Sequence, residues 1–267
     1  LYFIIYIMKS SRFFFIILII IVISCIILFS IKNSLNNFEY FNNGKYDLPE
    51  QIDTALLSYP RSGNHLTRFI IEYISGKPTE GCPGNKADKY ICTNHFQNIE
   101  LLNHVNKKEK PIVVKAHHIT SISNAINKLI IIVRNPFECI SRQTHYKIDL
   151  ENITHYLNIL DYYDEFNGKK MLIKYEDLID NPYYVAEELY KFLNLNTKEY
   201  LDDFNQNYKT ILNDSLNTIN INGGATQAYE NVSKKDSNYH YSKLDQKNRD
   251  FLKAHLENSK LYRKYLL

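Results

Sequence analysis

The chain begins with an apolar run and continues with a longer region in which short apolar runs alternate with helical patterns. Residues 13–31 contain no charged side chain, and their few polar residues are Ser24, Cys25 and Ser30. About 20 apolar residues in a row are enough to cross a bilayer as a helix. We therefore expect residues 13–31 to form one transmembrane helix.

The charges beside this run predict its orientation. Lys9 and Arg12 precede it, whereas the other side carries Lys32 and then charges of both signs. Basic residues concentrate on the cytoplasmic side of a membrane segment. Residues 1–12 are therefore expected to form a cytoplasmic tail, with a stem at residues 32–51 and the remainder of the chain in a Golgi-like lumen.

Two other interpretations of the run fit less well. A cleaved signal peptide has an apolar stretch of only about 7–15 residues and a small-residue cleavage site. Residues 22–25 loosely resemble a lipoprotein acylation site. The apolar run continues past Cys25 to Ile31, however, where such a signal should already have ended. The first methionine is Met8, which is a candidate for the native start of the protein.

Beyond residue 51 the pattern is typical of an α/β protein. Short β-branched apolar runs predict strands covered on both faces, and segments that open with proline or small polar residues have helical spacing. The polar, Asn-rich residues 194–238 are expected to form loops with a short helix. The predicted strands lie at residues 55–57, 111–115, 128–133 and 170–175, and the predicted helices at residues 64–74, 136–146, 182–193 and 245–265.

This alternation predicts a single α/β domain over residues 52–267, with a mostly parallel central sheet flanked by helices. About 235 residues follow the apolar run, which is enough for one large domain. Folds of this kind bind their ligands at the carboxyl ends of the strands. The residues directly after each predicted strand are therefore the candidates for the functional site.

Composition narrows the possible partners. The net charge is only +3, from 32 basic and 29 acidic residues, which argues against nucleic acid as a partner.

No Cys/His cluster has zinc spacing, so no metal is expected. In an oxidising lumen Cys82 and Cys92 could close a disulfide. Glycosylation sequons, which permit a glycoprotein, begin at Asn152, Asn213 and Asn231.

The first predicted strand runs into residues 58–65, Ser-Tyr-Pro-Arg-Ser-Gly-Asn-His. A strand, a tight turn and a helix start bring backbone N–H groups to the positive end of a helix dipole, where anions bind. Arg61 adds a planar charged fork suited to phosphate or sulfate oxygens. The spacing and the lysine of a Walker loop are absent, so an ATP-type loop is not expected. A segment of this form can also be a mere connection.

This segment resembles the loop that holds the 5′-phosphosulfate in sulfotransferases that use 3′-phosphoadenosine 5′-phosphosulfate (PAPS). The family writes it Tyr-Pro-Lys/Arg-Ser-Gly-x-x-Trp, and Leu66 stands here in place of the tryptophan. The resemblance implies a P-loop-like fold and PAPS as the sulfuryl donor. It also implies that the cofactor is bound by Arg61, Ser62, Gly63, Asn64 and His65.

The end of the next strand, residues 115–118, resembles the family's Lys-x-His motif. The resemblance implies that His117 is the catalytic base, a task that suits a side chain titrating near neutral pH. It also implies that Lys115, together with Arg61, neutralises the charge that develops during transfer. Taken alone, His117 and His118 could equally be two surface histidines after a buried strand.

The two remaining strand ends resemble the segments that bind the nucleotide. Arg134 begins an Arg-Asn-Pro segment, which implies that it binds the 3′-phosphate together with a serine on the following helix. The family's serine lies eight residues after the arginine, whereas Ser141 is seven residues after Arg134 and Arg142 takes the eighth place. Ser141 is favoured, because it and Arg134 reach one helix end. Tyr175 resembles the aromatic residue that lies near the adenine.

The resemblance covers roughly residues 54–193 and does not extend to the C-terminal loop by which cytosolic members close over the cofactor. Lys234 and Lys235 are the nearest substitutes for that loop. The resemblance implies a sulfotransferase that acts on a hydroxyl-bearing acceptor, and the expected membrane segment makes it a membrane-anchored one. The acceptor is a glycan, a protein tyrosine or a small molecule, with carbohydrate as the first expectation for an enzyme in a lumen. The alternatives are a catalytically inactive membrane-anchored nucleotide-binding protein and a P-loop-like kinase.

Overall fold

The computed structural model describes residues 52–81, 99–106, 108–122, 126–218 and 239–267. The predicted tail, transmembrane segment and stem at residues 1–51 lie outside the described residues, as do Cys82, Cys92, Asn231, Lys234 and Lys235. None of the helices in the described ranges combines the length and the apolar character that a membrane span requires.

A sheet of four parallel strands forms the centre of the domain, with strand order β2-β1-β3-β4. Its residues are mostly β-branched or leucine, as expected for a sheet covered on both faces. The parallel α/β architecture that the sequence predicts is thereby confirmed. The strands are β1 (Thr54–Ser58), β2 (Val114–Ala116), β3 (Lys128–Val133) and β4 (Lys169–Lys174).

Helices cover both faces of the sheet. They are α1 (Asn64–Ser75), α2 (Pro136–Gln143), α3 (Leu150–Glu165), α4 (Tyr175–Asp180), α5 (Pro182–Phe192), α6 (Lys198–Thr218), α7 (Gln246–Glu257) and α8 (Lys260–Leu266).

The two faces have separate hydrophobic cores because successive strand residues point to opposite sides. Leu56 and Ile130 pack with α1, α5 and α6 on one face. Leu57 and Ile131 pack with α2, α3, α7 and α8 on the other.

The strands end nearly level with one another. Ser58 at the end of β1 pairs with Ile132, and Val133 at the end of β3 pairs with Lys174. Ala116, the last residue of β2, pairs with Leu57. The residues that follow the four strands therefore emerge along one edge of the sheet.

The prediction for residues 194–238 is wrong over residues 198–218, which form the 21-residue helix α6. Leu201, Phe204 and Ile211 recur at helical spacing and are buried, and α6 packs on α1. This packing outweighs the modest helix propensity of the many asparagines.

Two further boundaries differ from the prediction. The single helix expected over residues 245–265 is divided into α7 and α8, and the Ser259 side chain caps the second of them. The strand expected at residues 111–115 is confined to residues 114–116, and its pairing begins at Val114.

Candidate functional site

The predicted site residues come from all four strand ends. The loop at residues 59–63 follows β1, His117 follows β2, Arg134 follows β3, and Tyr175 follows β4. Because the strands are parallel and adjacent, these segments lie along one edge of the sheet.

The loop after β1 has an unusual backbone that leaves the start of α1 open. Arg61 (φ 70°) and Gly63 (φ 97°) both lie in the left-handed region, and the Ser62 N–H donates to the Tyr59 carbonyl at 3.3 Å. Gly63 is the N-cap of α1, and no side chain caps the helix there. The first N–H groups of α1 and the positive end of its dipole can therefore serve an anion.

Buried polar groups of the loop support a ligand-binding role. The Asn64 Nδ2 donates to the Ser58 Oγ at 3.0 Å. Within the described part of the chain, the buried Asn64 Oδ1 has no hydrogen-bond partner, and the buried Ser62 Oγ is next to the Cys139 thiol, a weak partner. Such groups are costly unless something else completes their bonds, and a hydroxyl can donate to an anion held in the loop. His65, also predicted to bind the cofactor, lies half-buried in the first turn of α1.

Arg134 is held in place from several sides. Its Nη1 donates to the Arg61 carbonyl at 2.9 Å, and its guanidinium carbon lies 4.3 Å from the centre of the Tyr175 ring. The Tyr156 hydroxyl of α3 donates to the Arg134 carbonyl at 2.7 Å. Arg134 thus joins the loop after β1 to the end of β4, which orients its charge at the site.

Glu138 is an acidic residue beside Arg134. It is buried on α2, and its Oε1 lies 3.9 Å from the Arg134 Nη2. Its Oε2 accepts hydrogen bonds from the N–H groups of His240 at 2.6 Å and Tyr241 at 3.2 Å. No local pattern in the sequence predicts this contact, because residues 138 and 240 are far apart in the chain.

Arg142 extends the positive charge of the site. It is half-buried on α2, and burial, reinforced by the neighbouring Arg61 and Arg134, lowers its pKa. Arg61 is itself exposed, and its Nε donates to the Gln143 Oε1 at 3.3 Å. The mutual repulsion of these arginines favours an anion between them.

Ser141 has a different environment from Arg142. It is fully buried, and its hydroxyl donates to the Phe137 carbonyl of its own helix. Arg142 thus lies in the electrostatic neighbourhood of Arg61 and Arg134, whereas the Ser141 hydroxyl is bonded within its own helix. The predicted role of Ser141 as a phosphate ligand stays a prediction.

His117 is oriented by the end of β1. Its Nδ1 lies 2.8 Å from the Ser58 carbonyl, and since a carbonyl only accepts, this nitrogen carries the proton. In the neutral ring the lone pair is then on Nε2, as a base requires. Lys115 lies two residues earlier, buried on β2, and its predicted catalytic role stays a prediction.

Helix α3 adds residues that the sequence analysis missed. The His155 Nε2 lies 2.7 Å from the His117 carbonyl, and the His155 and His118 rings are stacked with centroids 4.6 Å apart. Burial, together with His155, lowers the pKa of His118. The Asp149 cap and the spacing of Ile153, Tyr156 and Leu160 are the sequence signals of this helix.

Other chemistry near the site is limited. Across the described ranges, no group of histidine, cysteine and acidic residues could hold a metal ion. Cys139 is a buried free thiol, and burial raises its pKa to about 12, so it is inert at neutral pH.

Comparison with known proteins identifies the fold. Neither a protein-family model nor a curated protein matches the chain. Mouse sulfotransferase SULT7A1, solved in complex with PAP, is 17% identical and superposes with a TM-score of 0.50 over 84% of this chain and 90% of that chain. A retinol dehydratase in complex with retinol and PAP is 13% identical, with a TM-score of 0.41 over 78% and 82% of the two chains. At these identities the likeness to SULT7A1 shows that the chain has the sulfotransferase fold.

Proposed function

We propose that this chain, which has the sulfotransferase fold, transfers the sulfuryl group of PAPS to a hydroxyl acceptor. The observation that carries the proposal is the shared location of an open helix N-terminus, the Arg61, Arg134 and Arg142 guanidinium groups, and the His117 ring, whose Nδ1 bonds the Ser58 carbonyl. Anion binding and proton removal are the two requirements of this reaction.

The residues at this edge fit the two anionic ends of the cofactor. The loop N–H groups, Arg61 and the Ser62 hydroxyl would hold the 5′-phosphosulfate, with Gly63, Asn64 and His65 forming the rest of the loop. Arg134 would hold the 3′-phosphate together with Arg142 or Ser141, and Tyr175 would lie near the adenine. When bound, the cofactor supplies the sulfuryl group as an activated electrophile.

His117 supplies the base in this proposal. Its Nε2 takes the proton of the acceptor hydroxyl as the new oxygen–sulfur bond forms and the bond between sulfur and the bridging oxygen breaks. The Nδ1–H bond to Ser58 keeps the ring in the tautomer that can accept this proton. Lys115 and Arg61 would stabilise the negative charge that grows on the departing oxygen.

We further propose a carbohydrate hydroxyl as the acceptor and a single-pass membrane location with the catalytic domain in a Golgi-like lumen. Support for the location comes from the uncharged residues 13–31 and the basic residues that precede them. Carbohydrate is then the favoured acceptor, because the hydroxyl groups available in such a compartment are largely those of glycans. Protein tyrosine and small molecules are the competing acceptors.

Two measurements on the purified full chain in detergent test the proposal. The first is titration with 3′,5′-adenosine bisphosphate (PAP) and with ATP, where PAP is expected to bind more tightly. The second is transfer of labelled sulfate from PAPS to a panel of glycans, tyrosine peptides and phenols. Preference for ATP would contradict the sulfotransferase proposal, and tight PAP binding without transfer to any acceptor would favour the inactive nucleotide-binding protein.

A further inference from the structure

We propose that His155 is a positioning residue that holds the base His117 in its working orientation. This inference rests on the proposed function of His117. It concerns a helix, α3, that the family motifs of the sequence do not include.

The direct contact is a hydrogen bond from α3 to the backbone beyond β2. The His155 Nε2 lies 2.7 Å from the His117 carbonyl, so this nitrogen carries a proton and donates. His117 lies just past the last paired residue of β2, Ala116, where the sheet ladder no longer fixes the backbone. His155 therefore supplies an anchor that the sheet does not provide.

His117 is consequently fixed at two points. Its ring is held by the Ser58 carbonyl at 2.8 Å, and its own carbonyl is held by His155 at 2.7 Å. A shift of the backbone at this residue would swing the imidazole away from an acceptor hydroxyl. A misplacement of about 1 Å at a reacting group can reduce the rate by roughly 100-fold.

The His155 ring is itself held by neighbours on both the loop and the strand end. It stacks on the His118 ring at a centroid distance of 4.6 Å and an angle of 7°, and it packs against the buried Tyr59 ring at 5.2 Å. The Tyr59 hydroxyl donates to the Asn152 Oδ1, one turn earlier on α3, at 2.7 Å. The donor is therefore preorganised toward the His117 carbonyl.

The next residue of α3 makes a matching contact. Tyr156 donates its hydroxyl to the Arg134 carbonyl at 2.7 Å, and Arg134 is the first residue beyond β3. Adjacent residues of α3 thus hold the first residues that follow two of the site strands, β2 and β3, which flank β1 in the sheet. The repeated contact supports a positioning role for α3 rather than a chance hydrogen bond by His155.

Two substitutions separate the hydrogen bond from the stacking. His155→Phe keeps a ring that can stack on His118 but removes the donor, whereas His155→Gln keeps an N–H donor without the ring. His255→Phe is the matched control, because His255 lies on α7 and contacts Phe251 of its own helix. For each full-length variant, we would measure kcat with PAPS, PAP affinity, thermal stability and the ¹⁵N NMR signals of the His117 ring.

We expect His155→Phe to lower kcat by about 10- to 100-fold while PAP affinity changes by no more than about twofold. His155→Gln should retain kcat within about threefold of the native protein, and His255→Phe should be native-like. In the NMR spectra, native His117 should show a protonated Nδ1 and the His155→Phe variant a mixture of tautomers.

Full kcat in His155→Phe, or equal losses in the Phe and Gln variants, would overturn the inference. The NMR arm keeps it testable if the native protein transfers no sulfate, since an unchanged His117 tautomer in all variants would also overturn it. A native protein that binds no PAP would instead contradict the proposed function, and the NMR result would still decide the role of His155.

Discussion

The Tyr175 ring lies directly against the Cα of Gly63, so closely that a Cβ added to the glycine would come within 2.4 Å of the Tyr175 Cδ2. This contact joins the anion-binding loop after β1 to the end of β4. It explains why the position excludes any side chain, in addition to the left-handed backbone at φ 97°.

Gly63→Ala should therefore damage ligand binding. The added methyl group displaces Tyr175 or the loop, so we expect PAP affinity to fall by at least about tenfold, with a stability loss of about 1–3 kcal/mol. Isothermal titration and thermal unfolding measure the two effects. Gly76→Ala is the matched control, because Gly76 is also left-handed (φ 64°) but a Cβ there would meet the Tyr200 ring at 3.2 Å, away from the strand ends. Gly76→Ala should lose stability yet keep its affinity for PAP. Equal losses of PAP affinity in Gly63→Ala and Gly76→Ala would contradict a specific role of Gly63 in ligand binding.

Arg61→Ala should weaken both cofactor binding and transfer. Arg61 is exposed and donates to Gln143, so its removal should hardly change thermal stability. The loss in kcat/KM for PAPS should correspond to about 2–4 kcal/mol, the range for groups that stabilise developing charge. Steady-state kinetics measures it. If Arg61→Ala keeps both its affinity for PAPS and its turnover, the loop is only a connection and the proposed function is contradicted.

His117→Ala should separate catalysis from binding. Loss of the base should lower kcat by about 10²- to 10⁴-fold, while PAP affinity stays nearly native. His118→Ala should be milder, because that ring stacks on His155 and is not the proposed base. Parallel loss of PAP affinity in His117→Ala would mean that the histidine shapes the nucleotide site.

Arg142 and Ser141 are alternative partners of the 3′-phosphate. The Arg142 guanidinium interacts electrostatically with Arg61 and Arg134, whereas the Ser141 hydroxyl donates to its own helix. Arg142→Ala should therefore weaken PAP binding more than Ser141→Ala does, and it should make PAP binding less sensitive to salt. Its loss should be about 1.5–3 kcal/mol, as for hydrogen bonds to charged groups. Comparing PAP with adenosine 5′-phosphate in both variants isolates the 3′ contact. A larger loss of discrimination in Ser141→Ala would restore the assignment made from sequence.

Asn152 should remain without a glycan even in a secretory host. Its Nδ2, the atom that a glycan would modify, donates to the Asp149 Oδ1 at 2.8 Å, and its Oδ1 accepts from the Tyr59 hydroxyl. Glycopeptide mass spectrometry of protein from insect cells tests this expectation. Substantial occupancy at Asn152 would show that these contacts form only after modification or not at all.

The strand ends of the site could be read from the sequence because each one combines a local apolar run with a local motif. A parallel sheet then brings the ends of β1 and β3 to one edge, so no long-range information was needed to place Arg61 near Arg134. The first helix and the third strand were predicted almost to the residue for the same reason.

The missed parts depend on contacts between distant segments. Helix α6 is polar along most of its length, and its few apolar residues stabilise a helix only because they pack against α1. His155 and Glu138 act through carbonyl and N–H groups of residues far along the chain, and main-chain partners leave no trace in side-chain patterns.

The contacts of Glu138 also limit where the protein can be truncated. A carboxylate that is 1% exposed and accepts two N–H groups from residues 240 and 241 depends on a segment about a hundred positions downstream. Removing that segment would strand a desolvated negative charge beside Arg134, which costs several kcal/mol or forces protonation. Residues 240 and 241 are thus a structural requirement of Glu138 and of Arg134 beside it, and a truncation directly after α6 would remove them from the site.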